Sequence, residues 1–169
     1  WTAGVAELEA GIPEYAALKG TLAQGPDRLL AALRLNDRLG AIAYKAYFYP
    51  SLRYDEDQRN NDVNARRQQV QALFARWQQA TSWINPELLA IPIETVRGWM
   101  EGNADLAVYR FAIEEVYRQQ EHVLDERGEH LLSLSSQLAS APGEAYQALS
   151  TADAKFPEVT LSTGESLVM

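Results

Sequence analysis

Few side chains in this 169-residue chain are of types that do chemistry, and their spacing limits what they can do. Its two histidines are His122 and His130, preceded by Glu121 and Glu129. A helical zinc site that hydrolyses peptides needs two histidines one turn apart, so that both rings reach one ion. It also needs a glutamate directly after the first histidine to activate the bound water. Here the histidines are eight positions apart and each glutamate precedes its histidine, so no His-Glu-x-x-His pattern exists. His122 and Glu126 would share a face on one helix, but Asp125 is suited to start a new helix between them. The histidines therefore read as surface residues beside a capping segment.

Other chemistries fail on residue type. The chain has no cysteine, which removes disulfides, thiolate nucleophiles and cysteine zinc sites together. The acidic link Asp55 to Asn61 lacks the alternating ligands, glycine and closing glutamate of a calcium loop. There is no Gly-x-Ser-x-Gly and no phosphate-binding glycine loop. Glu114 and Glu115 lie near Arg110 and Arg118 at helical spacing, which invites ordinary ion pairs. No residue can be named as catalytic, cofactor-binding or metal-ligating.

The elements that would position any site are helical, and the stretch Ser82 to Leu138 is expected to organise them. Within it Leu106, Tyr109, Ile113, Val116 and Gln120 form one face of a continuous middle helix, with Arg110, Glu114, Glu115 and Arg118 opposite. Asp125 caps the next helix, which carries Leu131, Leu134 and Leu138 along one edge. Everything else is expected to pack around this pair.

Before it, Trp1 to Ala10 reads as a helix broken at Gly11, and Pro13 opens a second that stops near Gly20. After the Gly25-Pro26 turn, a helix runs from Asp27 to about Tyr54, with Ala32, Leu35, Leu39, Ile42, Ala46 and Tyr49 on its apolar edge. Pro50 should kink or end it. The cluster Tyr44, Tyr47, Phe48 and Tyr49 reads as core and interface packing, with a peptide-binding wall as the alternative. Asn61 or Asp62 caps a further helix with Val63, Val70, Leu73, Trp77 and Ala80 buried. That helix should lie antiparallel to the one before it, because the link is short. Trp77 is assigned to the core and Trp99 is left open between core and docking surface. Pro86 and Pro92 bound a short turn of helix, and Ile93 to Glu101 forms another. Ala141-Pro142-Gly143 is expected to turn before a short helix over Glu144 to Ser150. Two short β segments around Gly164 close the chain.

Hydrophobic content of 47% with 22% charged residues fits a globular protein. A net charge of −8, with fifteen basic residues scattered among acids, argues against nucleic-acid binding. No apolar run is long enough to span a bilayer and no export signal precedes the first helix, so no membrane and a cytoplasmic location are expected. The start at Trp1 and the apolar end at Leu167-Val168-Met169 read as cuts.

Four segments together, in their order and spacing, resemble the N-terminal region of oligoendopeptidase F, a family of zinc oligopeptidases related to thimet oligopeptidase. They are Pro86 to Pro92 (PELLAIP), Asp105-Leu106-x-x-Tyr109-Arg110, His122 to Ser133 (HVLDERGEHLLS) and Ala152 to Pro157 (ADAKFP). The resemblance implies a mainly α fold of stacked antiparallel helical hairpins with a short C-terminal β-hairpin, part of a larger helical metallopeptidase. Residues 1–156 would be the helical N-terminal domain, and 157–169 the hairpin or a junction to a missing C-terminal catalytic domain. It further implies zinc in the full-length parent, none in this chain, and short peptides as substrates entering a closed channel. These helices would form part of the channel wall, and the chain alone would be inactive. The alternative is a freestanding helical module that binds peptides or a partner protein.

Overall fold

A computed structural model describes residues 1–150 and 158–167. The Ala152 to Pro157 segment, Val168 and Met169 lie outside the described residues. The chain divides into two compact units, 1–136 and 137–169. Among the described residues the helices are α1 (Thr2–Gly11), α2 (Glu14–Leu18), α3 (Pro26–Glu56), α4 (Asn61–Thr81), α5 (Ile84–Leu89), α6 (Ile93–Gly102), α7 (Ala104–Ala107), α8 (Arg110–Arg118) and α9 (Glu126–Ala148). The expected fold class, mainly α with a short C-terminal hairpin, is the one observed.

The hub of the first unit is α3, which packs against α1, α2, α4, α6 and α7. The expectation that the middle helix and its successor would be the centre is therefore corrected. Gly25, at φ 146°, gives the chain an entry angle open to glycine, and Pro26 takes the first helical position, where its missing N–H costs nothing. Leu29, Leu35, Leu39, Ala43 and Ala46 are buried along α3. Tyr49, assigned to that edge, is exposed, and Pro50 is buried instead.

Pro50 does not end the helix, which continues to Glu56. A proline inside a helix leaves the carbonyl four residues earlier without its donor. Here that carbonyl, on Ala46, accepts from Trp1 Nε1 at 2.9 Å, so a side chain from α1's entry replaces the lost backbone bond.

The α3–α4 pair is antiparallel as expected. Going back along α3 from Tyr54 to Tyr47 to Gly40, its partners advance along α4 from Arg67 to Phe74 to Trp77. The cap of α4 is Asn60, one residue earlier than either candidate, with Oδ1 accepting from Asp62 N–H at 3.1 Å and Val63 N–H at 3.2 Å. Trp83 is buried, while Trp77 and Trp99 are half-buried against the core.

The expected continuous middle helix is two. Asn103 caps α7 through Leu106 N–H, and the chain turns at Val108 and Tyr109 before α8 starts. That break resets the register. Leu106, Ile113 and Tyr117 are buried, Tyr109 and Val116 are half-buried, and Gln120 is exposed in a 3-10 turn. Asp125 does start α9, its Oδ1 accepting from Gly128 N–H at 2.8 Å while Glu129 accepts from Leu124 N–H at 2.9 Å. The face of α9 expected to be buried is open, with Leu131 at 68% exposure and Leu134 also exposed. α9 also runs through Pro142 to Ala148, where a turn was expected.

Within the second unit, β1 (Val159–Thr160) pairs antiparallel with β2 (Ser166–Leu167), Val159 opposite Leu167 and Thr160 opposite Ser166. Gly164, at φ 85°, supplies the left-handed residue of the turn.

Candidate functional site

The first unit presents an aromatic face along α3 and α4. Tyr44 and Phe48, one turn apart on α3, have ring centroids 4.4 Å apart. Phe48 meets Tyr47 edge-on at 5.5 Å, Tyr47 meets Phe74 of α4 at 5.7 Å, and Phe74 meets Trp77 edge-on at 5.7 Å. The five rings are thus linked by four contacts within the range where aromatic pairs attract. Gly40 and Ala43 are too small to fill the space beneath them, and a cleft of about 370 Å³ remains. Tyr44 to Tyr49 were expected to be core and interface packing; the core part is corrected, since Tyr44 is 64% exposed and Tyr47, Phe48 and Tyr49 are exposed as well.

The inner end of this face is fixed by a polar relay. Trp77 Nε1 donates to the Tyr15 hydroxyl oxygen at 3.2 Å, and that hydroxyl faces Asn36 Oδ1 at 3.4 Å. Burial of Tyr15 raises its pKa above the usual tyrosine value, which keeps the hydroxyl neutral.

A second concavity of about 420 Å³ lies where α3, α4, α5, α8 and α9 meet. Leu29, Leu33, Leu88, Ile113, Val116 and Leu132 give it an apolar lining, with Asn36, Gln78, Asn85 and Glu129 among its polar members. Its shape depends on two carboxylate and hydroxyl anchors. Glu87 accepts from Gly20 N–H at 2.7 Å and from Leu22 N–H at 2.8 Å, holding the α2–α3 connection against α5. The buried Tyr117 hydroxyl sits 2.8 Å from Leu88 O and 2.7 Å from Ile91 O, sharing its one proton between the carbonyls that end α5. Desolvation pushes the Tyr117 pKa up to about 12.

Charged side chains surround these features in exposed pairs. Arg38 binds both oxygens of Glu14 at 2.8 Å, Arg34 reaches Asp105 at 2.7 Å, and Lys19 pairs with Glu126 at the start of α9. The expected pairs Arg110–Glu114 and Arg118–Glu115 are both present. Tyr109 donates to Asp37, and that hydrogen bond is the main cause of its raised pKa.

His122 and His130 are both exposed, and His122 pairs with its neighbour Glu121 at 3.5 Å. Among the described residues no group of three or more histidine, cysteine, aspartate or glutamate side chains is placed to hold a metal ion. The described side chains therefore do not fit a zinc site.

A family model described as Oligopeptidase F matches residues 87–156. The chain is 28% identical over 159 residues to oligopeptidase PepF of Bacillus subtilis, covering 94% of this chain and 24% of that protein. It is also 28% identical over 167 residues to group B oligopeptidase PepB of Streptococcus agalactiae, covering 99% of this chain and 28% of that one. The fold superposes on the crystal structure of oligoendopeptidase-F from Enterococcus faecium with a TM-score of 0.86 at 28% identity, covering 98% of this chain and 32% of that chain. The chain resembles the oligoendopeptidase F family over most of its length.

The resemblance is to the N-terminal region of that family, and the chain spans about a quarter of the length of the curated relatives it matches. The family match opens at Glu87, the residue that clamps the Gly20–Leu22 turn. Nothing in the local sequence marks Glu87 for that role, because its partners are more than sixty positions away. Phe74 was missed as a member of the aromatic face. Its pairing with Tyr47 follows from the antiparallel hairpin once the link between α3 and α4 is located.

Proposed function

We propose that this chain is the N-terminal, non-catalytic part of a zinc-dependent oligoendopeptidase that hydrolyses short peptides, and that its helices form part of the wall of the substrate channel. Residues 1–156 are the helical domain in this reading, and 157–169 the hairpin or junction to a catalytic domain. The observation that carries it is the superposition on the Enterococcus faecium oligoendopeptidase-F, in which nearly all of this chain matches about a third of that one. The absence of a His-Glu-x-x-His helix from the sequence agrees with it. The chemistry then belongs to the part that these residues do not include, and the role of this part is to enclose and position peptides. No helix of the described residues is long and apolar enough to cross a membrane, in keeping with a cytoplasmic enzyme.

The test is hydrolysis of a fluorescence-quenched peptide by the native gene product and, side by side, by residues 1–169 alone. The reading expects turnover by the gene product that a chelator abolishes and zinc restores, and none by the 169-residue chain. Zinc-dependent turnover by the pure 169-residue chain would overturn it.

A further inference from the structure

The aromatic cleft between α3 and α4 has three properties that bear on what fills it. Its rings are already in mutual contact, so they are held in place before anything binds. It has no charged lining: Gly40 and Ala43 floor it, and Tyr44, Phe48, Phe74 and Trp77 wall it. The hollow beside α6 and α8 is different, lined by Arg97, Glu114, Glu115 and Arg118. A contiguous exposed apolar face of this kind marks either a binding groove or a contact with another polypeptide surface. Depletion of charge and enrichment in Tyr, Trp and Phe are the composition of the dry centre of such a contact.

What covers it is indicated by the length of polypeptide outside these residues. Matched residues account for 32% of the solved oligoendopeptidase-F chain, so the greater part of such a protein lies outside the part seen here. A peptide held in a channel needs polar partners for its backbone N–H and C=O groups, whereas the lining of this cleft is almost wholly apolar and suits apolar side chains. We infer that the α3–α4 aromatic cleft seats the remainder of the same polypeptide in the parent peptidase, which fills it with an apolar side chain. This rests on the reading given under Proposed function and assigns one face of the domain to internal packing rather than to substrate.

The absence of cysteine from the chain makes the inference testable by thiol labelling. Tyr44→Cys and Phe48→Cys place a thiol at the rim, and Arg59→Cys, whose side chain is 92% exposed in the α3–α4 link, serves as a control. Each is made in residues 1–169 and in the native gene product, labelled with a maleimide, and the labelled position is identified by peptide mass mapping. The rim thiols should label at least tenfold more slowly in the gene product than in the short chain, with or without a peptide substrate, while the control labels alike in both. Equal labelling of the rim thiols in the two would overturn the inference, as would protection that appears only when peptide is added, which would make the cleft part of the channel. In both cases a longer gene product that cleaves peptides would leave the proposed function standing. A gene product no longer than this chain would remove that reading, and the inference with it.

Discussion

The indole N–H of Trp1 donates at 2.9 Å to the carbonyl of Ala46, the acceptor that Pro50 leaves without its helical partner. One tertiary bond thus lets a proline sit inside a 31-residue helix and ties the start of the chain to its hub. Trp1→Phe should cost about 1–2 kcal/mol, because it leaves a carbonyl in a part-buried site unpaired. In a Pro50→Ala background the backbone N–H restored at position 50 can take that carbonyl, so the same change should cost less. Urea denaturation of the four variants measures the difference, and equal costs in both backgrounds would count against the compensation.

Glu87 joins two distant segments through backbone donors of Gly20 and Leu22. Charge-assisted hydrogen bonds are the stronger kind. Glu87→Ala should lower stability by about 2–3 kcal/mol, and Glu87→Gln by less, since its carbonyl oxygen can still accept. Thermal and urea melts of both variants give the order, which a purely surface role for Glu87 would not produce.

Tyr117 gives a pH dependence. Its pKa is about 12 in the fold against 10.0 for the free side chain, so the folded state holds the proton more tightly than the unfolded one. The stabilisation is full below pH 10 and is lost as pH rises through about 12. Tyr117→Phe should cost about 1–2 kcal/mol near neutral pH, where the hydroxyl bonds are intact. The gap between the two proteins should close across that alkaline window, as denaturation at stepped pH would show.

Gly11 was legible as a helix end, but its packing role was not. It lies in the last turn of α1, and a Cβ there would sit 2.5 Å from Leu39 Cδ2 and 2.8 Å from Cδ1. Overpacking of a buried core residue costs about 1–3 kcal/mol, while exchanging glycine for alanine in a helix returns up to about 1 kcal/mol. Gly11→Ala should therefore destabilise on balance, and a melting temperature at or above that of the parent would contradict the close approach.

What the sequence made legible was mainly local. Asp125 as a cap, a long helix following Gly25-Pro26 and the antiparallel α3–α4 hairpin follow from residue type and short spacing, and each is found, the helix starting at Pro26 rather than Asp27. The middle helix was misread because Leu106, Tyr109 and Ile113 keep a helical period across a turn, so periodicity could not detect the break at Val108 and Tyr109. Pro50 does not end α3, because its cost is met by a partner that no local pattern reveals, Trp1, and Pro142 lies inside α9 where a turn was expected. The leucines of α9 and the tyrosines of α3 have the pattern of core residues and lie exposed. An apolar stripe reports that a face is meant to be covered, without saying by which polypeptide. No site residue was named from the sequence; the α3 aromatic cluster was visible in it, but its continuation through Phe74 and Trp77 emerged only when α3 and α4 were placed side by side.

The central claim is that these residues are one part of a larger peptidase. The measurement that tests it most directly is the intact mass of the native gene product, captured from its source cell with an antibody raised against this chain. The account predicts a species several times heavier than 18.9 kDa. A native species of this chain's own mass would contradict it and would leave a freestanding helical binding module in its place.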